Sequence, residues 1–386
     1  MARGEKLRLG IIGLGNMGNG HCRLVAKNPR IELTALCEAD EARLARSVEK
    51  FGGKPYTDAD KMLADQPCDA VLIATPHFSH TTIGIKALKA GYHVLVEKPV
   101  SVHKADAEKL IRAHTSDDQV FAAMFNQRTN PAYARIRELI VSGELGAIRR
   151  VQWTITDWFR SQAYYDSGGW RATWAGEGGG VLLNQCPHQL DLWQWLFGMP
   201  ERVRAHIHLG KHHDIEVEDE VTAYMEYANG ATGVFTTSTG EAPGSNRLEI
   251  AAEHGQVVYD TNNKYFTLRR NNKSVTRAIA ENRGFEAPGV ESTNVRISGG
   301  GRQHAGILDN FQKAIAGEAE LLAPAAEGIH SVELANAMLL SGWTDRTVSL
   351  PISARAYANQ LQRRIEGSRA KENVKEVVED DMGSTF

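Results

Sequence analysis

Along the first third of the chain, short apolar runs alternate with amphipathic segments of helical length. The runs predict buried strands at residues 7–12, 32–37, 55–56, 70–74, 93–96 and 120–125. The segments between them predict helices, the first ending near Lys27 and the others at 41–51, 81–90 and 103–115. Strands rich in Val, Ile and Leu that alternate with helices are typical of a doubly wound parallel sheet. The pattern therefore predicts an α/β domain at the start of the chain.

After Asn126 the pattern changes to longer strands in which polar and apolar residues alternate. A helix at 131–142 precedes strands predicted at 149–158, 202–209, 220–227, 231–239, 248–253, 256–260 and 265–270. Their connections are short and rich in turn residues, such as Ala228-Asn229-Gly230, which favours a large, open, mainly antiparallel sheet. Residues 275–301 are polar and rich in Gly and predict a long loop, and helices return at 303–316 and 326–343.

A chain of 386 residues is too long for one ordinary core, and the change of pattern predicts where it divides. We expect an α/β domain over 1–127, an α+β domain over 128–350, and a C-terminal helix with a charged tail over 351–386. The tail is weakly patterned, so it is expected either to lack structure or to dock on a partner subunit.

Composition and charge exclude several classes of protein. The hydrophobic fraction of 42% and the charged fraction of 24% are those of a soluble globular protein. The net charge of −3, without a long basic run, argues against a nucleic-acid partner. No apolar run reaches the roughly 18 residues of a membrane span, and the start of the chain does not resemble a signal peptide. Four cysteines without metal or disulfide spacing (Cys22, Cys37, Cys68 and Cys186) indicate reduced thiols, no metal site and a cytoplasmic protein.

A glycine motif, Gly13-x-Gly15-x-x-Gly18, lies between the first predicted strand and the first predicted helix. Such glycines allow a tight turn, close approach of the backbone to a pyrophosphate and close helix–strand packing. The second strand ends about twenty positions later at Glu38, where a carboxylate accepts from ribose hydroxyls and repels a 2′-phosphate. A solvated strand-end charge is the alternative role for Glu38. The context favours a Rossmann fold that binds NAD in preference to NADP, although Arg43 could relax that preference.

A second polar cluster follows the Gly-rich run at 178–180, in an apolar segment that carries Asn184, His188 and Asp191. If the helix begins near Asn184, these three residues lie at i, i+4 and i+7 on one face. A polar stripe on an apolar helix is either paired internally or lines a cavity. Taken alone, the stretch favours a helix cap and a satisfied core histidine, whereas the rest of the chain favours a catalytic site.

The chain resembles the Gfo/Idh/MocA oxidoreductase family over roughly residues 7–350. The resemblance rests on the GxGxxG opening, Ala74-Thr75-Pro76, Glu97-Lys98-Pro99, Asn126-Gln127-Arg128, and the Gly-rich stretch that leads to His188 and Asp191. It implies that Lys98 lies between nicotinamide and substrate, that His188 is the acid/base, and that Asn184 belongs to the same catalytic group. It also implies a homodimer or homotetramer formed through the open face of the second sheet, since an uncovered face leaves an apolar surface. The implied cofactor contacts are Gly13, Gly15, Asn16, Met17, Gly18, Glu38, Thr75, Pro76, His77, His80, Glu97, Lys98, Asn126 and Arg128.

The chemistry of alcohol oxidation agrees with these roles. The reaction needs a hydride acceptor, a base for the hydroxyl proton and a group that stabilises the developing alkoxide. Lys98 supplies a cation at the C-terminal edge of the predicted sheet, where ligands bind in such folds. His188 can take a proton near neutral pH.

Two positions depart from the family pattern. Many relatives carry an aspartate where this chain has Asn184, and an amide cannot stabilise an imidazolium by charge. We therefore expect His188 to lean on Asp191 or another carboxylate, or to titrate lower than in the aspartate-bearing relatives. His77 stands where many relatives have an asparagine beside the nicotinamide, so its role stays open.

Aromatic residues are concentrated where the substrate is expected. Six of the seven tryptophans are Trp153, Trp158, Trp170, Trp174, Trp193 and Trp195. Sugars pack their C–H faces on aromatic rings and need directed hydrogen bonds, which a pocket of aromatic and polar residues provides. Arg160, Tyr164 and Trp170 are therefore expected to bind substrate together with Lys98, Asn184 and His188. Core packing is the alternative, and it is favoured for Trp193 and Trp195.

The stretch from Trp170 to His188 resembles family members that oxidise ring hydroxyls of glucosides and anhydrosugars, usually at C3. We therefore predict an NAD-dependent dehydrogenase that converts a ring hydroxyl of a sugar, glycoside or anhydrosugar to a ketone. The alternatives are a redox-neutral enzyme that cleaves glycosides while cycling bound NAD, a myo- or scyllo-inositol dehydrogenase, and a non-enzymatic sugar sensor. Retention of both Lys98 and His188 argues against the sensor.

Overall fold

The first sheet of the computed structural model is parallel and has helices on its faces. Its elements are β1 Leu7–Ile12, α1 Asn16–Ala26, β2 Ile31–Cys37, α2 Glu41–Phe51, β3 Lys54–Tyr56, α3 Ala59–Asp65, β4 Ala70–Ile73, α4 His77–Lys89, β5 His93–Val96, α5 Lys104–Arg112 and β6 Phe121–Ala123. The strand order is β3-β2-β1-β4-β5-β6, and each neighbouring pair is parallel. This confirms the predicted doubly wound sheet. The structure describes residues 5–369, 371 and 374.

The central strands of this sheet are apolar because helices cover both of their faces. All four residues of β4 and the last three of β5 are buried. The strand order reverses between β1 and β4, so a crevice opens at the carboxyl ends of these two strands. Helix α3 was not predicted, since seven residues give too little periodicity. Asp58 caps it by accepting from the N–H of Lys61.

The second sheet follows a short 3-10 helix, Asn126–Thr129. The elements of this part are α6 Pro131–Val141, β7 Ile148–Ile155, α7 Gln162–Asp166, α8 Pro187–Phe197, β8 Arg202–Leu209, β9 Glu218–Glu226, β10 Thr232–Ser238, β11 Asn246–Ala252, β12 Gly255–Asp260, β13 Tyr265–Asn271, α9 Val275–Glu281, β14 Val290–Arg296, α10 Gln303–Ile315, a 3-10 helix Ala325–Glu327, α11 Gly328–Thr344, β15 Val348–Ser349 and α12 Ala354–Glu366. The nine strands lie in the order β14-β13-β12-β11-β7-β10-β9-β8-β15. The pair β7–β10 is parallel and the other pairs are antiparallel, which confirms a large, mainly antiparallel sheet.

Two local predictions are wrong. The segment 275–301 is not one long loop, because it contains α9 and the edge strand β14. The side chains of β14 are almost all exposed, so the apolar alternation that identifies a strand is missing there. The helix predicted from Asn184 begins instead at Pro187, which occupies the first helical turn. Asn184 therefore lies in the preceding turn and does not share a helix face with His188 and Asp191.

The end of the predicted second domain packs on the first core. Ile307, Leu308 and Phe311 of α10 are buried in the same apolar cluster as β1 and β4. The N–H of Ala123 donates to the carbonyl of Ala323 at 3.0 Å. The boundary at residue 127 stays a prediction. Buried apolar residues between 307 and 332 belong to the predicted second domain but pack in the core of the first.

The C-terminal region contains the predicted helix, α12, whose Tyr357 and Leu361 are buried against the second core. Most of the predicted charged tail lies outside the described residues. Among the helices that the structure describes, none is long and apolar enough to cross a membrane.

Candidate active site

The turn between β1 and α1 brings two strands and a helix together. Gly13 has φ of +92°, and a Cβ there would lie 2.7 Å from the backbone of Ala74. A Cβ on Gly18 would overlap the carbonyl oxygen of Gly13, so glycine is required at both positions. At Gly15 a Cβ would meet no atom of the described residues within 4 Å. This position is open, so a phosphate group can approach the backbone there.

The first turn of α1 is free to receive an anion. Asn16 and Met17 form this turn, and no side chain of the described residues caps its N–H groups. Uncapped N–H groups at a helix start carry a partial positive charge and bind phosphates. The predicted contacts at Gly13, Gly15, Asn16, Met17 and Gly18 therefore lie together in one cradle.

Glu38 stands beside this cradle at the end of β2. Its carboxylate accepts a hydrogen bond from the N–H of Leu14 at 2.8 Å, and a guanidinium nitrogen of Arg43 lies 3.4 Å away. The side chain is only partly exposed and is fixed at the edge of the glycine turn. A carboxylate in this place suits the ribose of a dinucleotide.

Helix α4 carries two buried histidines into the crevice between β4 and β5. His80 has one ring nitrogen 2.8 Å from the carbonyl of Thr75 and the other 2.8 Å from the carbonyl of Pro99, so it joins the two strand ends. His77 follows Pro76, and its ring centroid lies 5.6 Å from that of Trp170. Burial lowers the pKa of His77 well below its usual value, so this imidazole is neutral near pH 7.

Asn126 reaches the same crevice from the 3-10 helix that follows the first sheet. Its amide nitrogen donates to the side chain of Gln303 at 3.0 Å. Its Oδ1 is buried and has no hydrogen-bond partner among the described residues. A buried acceptor without a partner is costly, which suits a donor supplied by a ligand. The glycine cradle, Glu38 and this buried acceptor are therefore groups that would hold a dinucleotide.

Glu97 supports Lys98 through its carboxylate, and its contact with the cofactor stays a prediction. One oxygen lies 2.7 Å from Nε2 of His21, and the other accepts from the N–H of Lys98 at 3.0 Å. Burial alone would raise the pKa of Glu97, but the hydrogen bond and charge of His21 outweigh it and lower the pKa to about 2. The Glu97 carboxylate is therefore ionised, and both of its oxygens have hydrogen-bond partners.

Lys98 projects from the end of β5 towards the second domain. Its Nζ donates to the carbonyl of Asn184 at 2.8 Å, across 86 positions of sequence. Burial lowers the pKa of this ammonium, and the charges of Arg171 and Arg160 lower it further. Glu97 and Glu177 act in the opposite direction. Lys98 therefore lies in a mixed electrostatic environment, with its pKa below the ordinary lysine value.

His188 is the second residue of α8 and is buried close to Lys98. Burial lowers its pKa well below the usual value, and the charge of Lys98 adds to this effect. The imidazole is therefore neutral near pH 7 and available to accept a proton. Of the alternatives expected for His188, reliance on Asp191 is ruled out, because Arg128 binds both oxygens of that carboxylate.

Arg128 is the partner of Asp191. Its Nε and Nη2 donate to the two carboxylate oxygens at 2.8 and 2.7 Å, and Nη1 donates to Glu327 at 2.6 Å and to the carbonyl of Leu322. Only 1% of the Arg128 side chain is exposed. Its side chain forms a buried ion pair that joins the 3-10 helix Asn126–Thr129 to α8, and its contact with the cofactor stays a prediction.

Asn184 is held by a carboxylate that the sequence analysis missed. Its side-chain amide donates to Oε1 of Glu177, whose Oε2 accepts from the N–H of Ala172 at 2.6 Å. Glu177 is 1% exposed, and burial raises its pKa although Arg171, Asn184 and Lys98 oppose the shift. The sequence held one signal for such a residue. Asn184 stands where many relatives carry an aspartate, so another carboxylate was to be expected near this cluster.

The predicted substrate residues form one aromatic and cationic cluster. The Arg160 and Arg171 guanidinium groups lie 5.0 and 4.3 Å from the ring centroid of Tyr164. The Arg171 group also lies 4.8 Å from the ring of Trp170, which in turn touches His77. Arg160, Tyr164 and Trp170 are thus brought together beside the crevice.

Trp193 and Trp195 pack in or against the second core, which is the alternative favoured for them. Trp193 is fully buried and donates to the hydroxyl of Tyr227 at 2.7 Å. Trp195 lies between the guanidinium groups of Arg128 and Arg137, at 5.4 and 4.4 Å. Both positions stabilise α8 and do not face the crevice.

A cleft of about 610 Å³ opens beside these groups. Its lining combines aromatic, amide and charged side chains, including Asp157, Trp158, Arg160, Gln189, Tyr259 and Gln303. Gln189 follows His188 in the chain, and Gln303 binds Asn126, so the cleft adjoins the proposed reaction site. Such a lining suits a polar ligand that carries several hydroxyl groups.

Glu218, under the Gly-rich turn, makes stability depend on pH. Burial raises its pKa from 4.5 to about 7, so the folded form keeps a proton that the unfolded chain has released. Stability is therefore lost as the pH rises from 4.5 to 7. Glu218→Gln should match the protein near pH 4.5 and exceed its free energy of unfolding by about 3 kcal/mol at pH 8. Urea unfolding at both pH values measures this, and an equal difference at both would contradict it.

Comparison with known proteins agrees with this geometry. Residues 7–125 match the family profile described as an oxidoreductase family with an NAD-binding Rossmann fold, and residues 133–258 match the GFO/IDH/MocA C-terminal domain. The chain is 26% identical over 263 residues to the myo-inositol 2-dehydrogenase of Thermotoga maritima, covering 66% of this chain and 75% of that protein. It is 27% identical over 291 residues to the levoglucosan dehydrogenase of Pseudarthrobacter phenanthrenivorans, covering 66% and 74%.

A solved structure shows the same architecture with its cofactor. The WlbA dehydrogenase from Bordetella pertussis, in complex with NADH and UDP-GlcNAcA, superposes with a TM-score of 0.76 at 26% identity. The match covers 90% of this chain and 100% of that one. Together the two family profiles span more than half of the sequence, on both sides of the crevice. The chain therefore belongs to the Gfo/Idh/MocA family of NAD-binding oxidoreductases.

Proposed function

We propose that this protein oxidises a ring hydroxyl, at C3, of a sugar, glycoside or anhydrosugar to the ketone, with NAD as the oxidant. The observation that carries the proposal is the meeting of Lys98, Asn184 and His188 at the carboxyl edge of the first sheet. Lys98 Nζ donates to the carbonyl of Asn184 at 2.8 Å, and the charge of Lys98 helps to lower the pKa of His188. Lys98 and the dinucleotide cradle follow strands of the same parallel sheet, at its carboxyl edge, which supports the proposal.

The side chains divide the work of alcohol oxidation. NAD, when bound, accepts the hydride from the carbon. His188 takes the hydroxyl proton, because burial keeps its imidazole neutral at working pH. Lys98 donates a hydrogen bond to the oxygen as negative charge develops on it. His77 and Trp170 form a wall of the crevice and limit access of water.

A polyhydroxylated substrate suits the surroundings of this pair. Tyr164 and Trp170 offer ring faces for C–H groups, while Arg160 and Arg171 offer donors. The adjoining cleft of about 610 Å³ leaves room for a second ring or an aglycone. These features favour glycosides within the proposed substrate class.

Glu38 is expected to select NAD over NADP. Glu38→Ser should weaken NADH binding by about 10- to 100-fold, because a hydrogen bond to a charged group contributes about 1.5–3 kcal/mol. The same change should tighten NADPH binding, since the 2′-phosphate is no longer repelled and Arg43 lies nearby. Titrations of nicotinamide fluorescence with NADH and NADPH measure both effects. The control is Glu41→Gln, an exposed carboxylate in the first turn of α2, and an unchanged NADH/NADPH ratio in Glu38→Ser would refute the assignment.

The proposed activity is tested by NADH production from NAD with glucose, alkyl and aryl glucosides, levoglucosan, 1,5-anhydroglucitol and myo-inositol. Turnover of a glucoside or anhydrosugar, with a 3-keto product identified by NMR, supports the proposal. Turnover of myo-inositol alone would favour the inositol dehydrogenase. Consumption of a glycoside without NADH, by protein that purifies with bound NAD, would favour the redox-neutral enzyme. A pH–rate profile unchanged in His188→Gln would remove His188 as the base.

A cytoplasmic location and a homo-oligomeric state are also proposed. The first is supported by four buried free thiols. The second is supported by exposed Leu209 and Tyr224, which lie on the strands β8 and β9.

A further inference from the structure

We propose that Glu177 is a positioning residue for Lys98: it fixes the turn that receives the Lys98 ammonium and balances its charge. The proposal rests on the proposed dehydrogenase function for its kinetic readout, but its main test does not require turnover. It assigns a role to a carboxylate on the Gly-rich loop, in a cluster where position 184 carries only an amide.

The first support is a chain of hydrogen bonds through one residue. Asn184 donates its side-chain amide to Glu177 and offers its backbone carbonyl to Lys98 Nζ at 2.8 Å. The second Glu177 oxygen accepts from the N–H of Ala172 at 2.6 Å, which anchors the carboxylate to its own loop. A shift of Glu177 would therefore move the carbonyl that orients Lys98.

The second support is the balance of charge around Lys98. Arg160 and Arg171 repel the ammonium, and the buried rings of His77 and His188 add no negative charge. Glu97 is already bound to His21 and to the backbone of Lys98. Glu177 is thus the carboxylate on the second-domain side that stabilises the charged form of Lys98.

The charges that act on Glu177 itself are also mixed. Arg171 and Lys98 favour its ionised form, and burial and the neighbouring Glu218 carboxyl disfavour it. Lys371 and the hydroxyl of Tyr165 also interact with it. Because cations outnumber anions around Glu177, removing its charge leaves Lys98 with less support than before.

The expected result of removing the charge follows from this arrangement. An opposite charge within about 4–6 Å of an ionisable group typically shifts the pKa of that group by about one to three units. Glu177→Gln keeps the size of the side chain and one acceptor, for Asn184, but it removes both the negative charge and the acceptor for the N–H of Ala172. The pKa of Lys98 should then fall by about one unit, and the alkaline limb of kcat/KM should move down with it.

The test measures the pH midpoint of Lys98 acetylation by acetic anhydride, followed by peptide mass spectrometry on the full chain with NAD bound. Glu177→Gln should lower the midpoint, and the double variant Glu177→Gln, Asn184→Asp, which exchanges the carboxylate and the amide at their contact, should restore it towards the unmodified protein. Glu216→Gln is the matched control, because Glu216 also binds this loop, at the N–H of Trp174, and should leave the midpoint unchanged.

A midpoint in folded Glu177→Gln equal to that of the unmodified protein would overturn the proposal. If this variant does not fold, Asn184→Ala removes the amide that binds Glu177 but keeps the backbone carbonyl that binds Lys98, and an unchanged midpoint there would overturn the positioning role. The labelling needs no substrate. Loss of the proposed function would appear as absent turnover with the midpoints shifted as expected, so the two failures are distinguishable.

Discussion

Lys98→Met is expected to lower kcat for the best substrate by about 10³-fold, while the affinity for NADH stays within a few fold. Methionine keeps the length and the apolar stem but removes the ammonium that donates to the developing alkoxide. Loss of one such donor typically costs about 10²–10³ in kcat, and loss of a positioned proton donor costs about 10²–10⁴. The measurements are single-turnover formation of NADH and titration of nicotinamide fluorescence.

Lys98→Arg separates charge from proton transfer in the same experiment. Arginine keeps a positive charge at all accessible pH values and therefore does not act as a titrating acid or base. Partial recovery of kcat in this variant would assign Lys98 an electrostatic role, whereas no recovery would add a requirement for its geometry or its proton. Turnover in Lys98→Met equal to that of the unmodified protein would show that the reaction takes place elsewhere.

The two sheets could be predicted because their signals are local. The strand β4 is a short apolar run, and the strands of the second sheet alternate polar and apolar residues with turn residues between them. The edge strand β14 gave no such signal, since both of its faces meet solvent and it is recognised as a strand only by pairing with β13. Helix α8 was placed three residues early because apolar content alone does not locate the first turn.

The candidate site divides in the same way. Gly13 could be named because its motif requires a tight turn, and Lys98 and His188 because the chain resembles the family at their motifs. Their partners could not, since each is brought in from a distant part of the chain by packing. Glu97 binds His21 across 76 positions, and Asn126 binds Gln303 across 177.

Asp191 shows how proximity in sequence can mislead. It lies three residues after His188 on an apolar helix, which suggested that the two side chains act together. In the structure a guanidinium from 63 positions earlier takes both of its oxygens. A fully buried carboxylate is stabilised more by a guanidinium that binds both of its oxygens than by a neutral imidazole, because only the guanidinium carries a full positive charge.

Removing that partner should destabilise the whole molecule. Asp191→Ala leaves Arg128 buried with only Glu327, whose side chain is 42% exposed, to balance it. Burial by itself lowers the pKa of Arg128, and the attraction and hydrogen bonds of Asp191 outweigh that effect and raise it. We expect the free energy of unfolding to fall by about 3–5 kcal/mol, the usual cost of breaking a buried pair on one side.

The double variant Arg128→Met, Asp191→Leu is the matched control for this effect. Replacing both charges by apolar side chains removes the uncompensated guanidinium, and such replacements are often neutral or stabilising. Urea unfolding should therefore place the double variant well above Asp191→Ala in stability. Equal loss in both would mean that packing volume, not charge, holds α8 against the 3-10 helix Asn126–Thr129. Recovery of stability in the double variant would show that the mutual balance of these two charges stabilises the contact between the 3-10 helix Asn126–Thr129 and α8, the helix that carries His188.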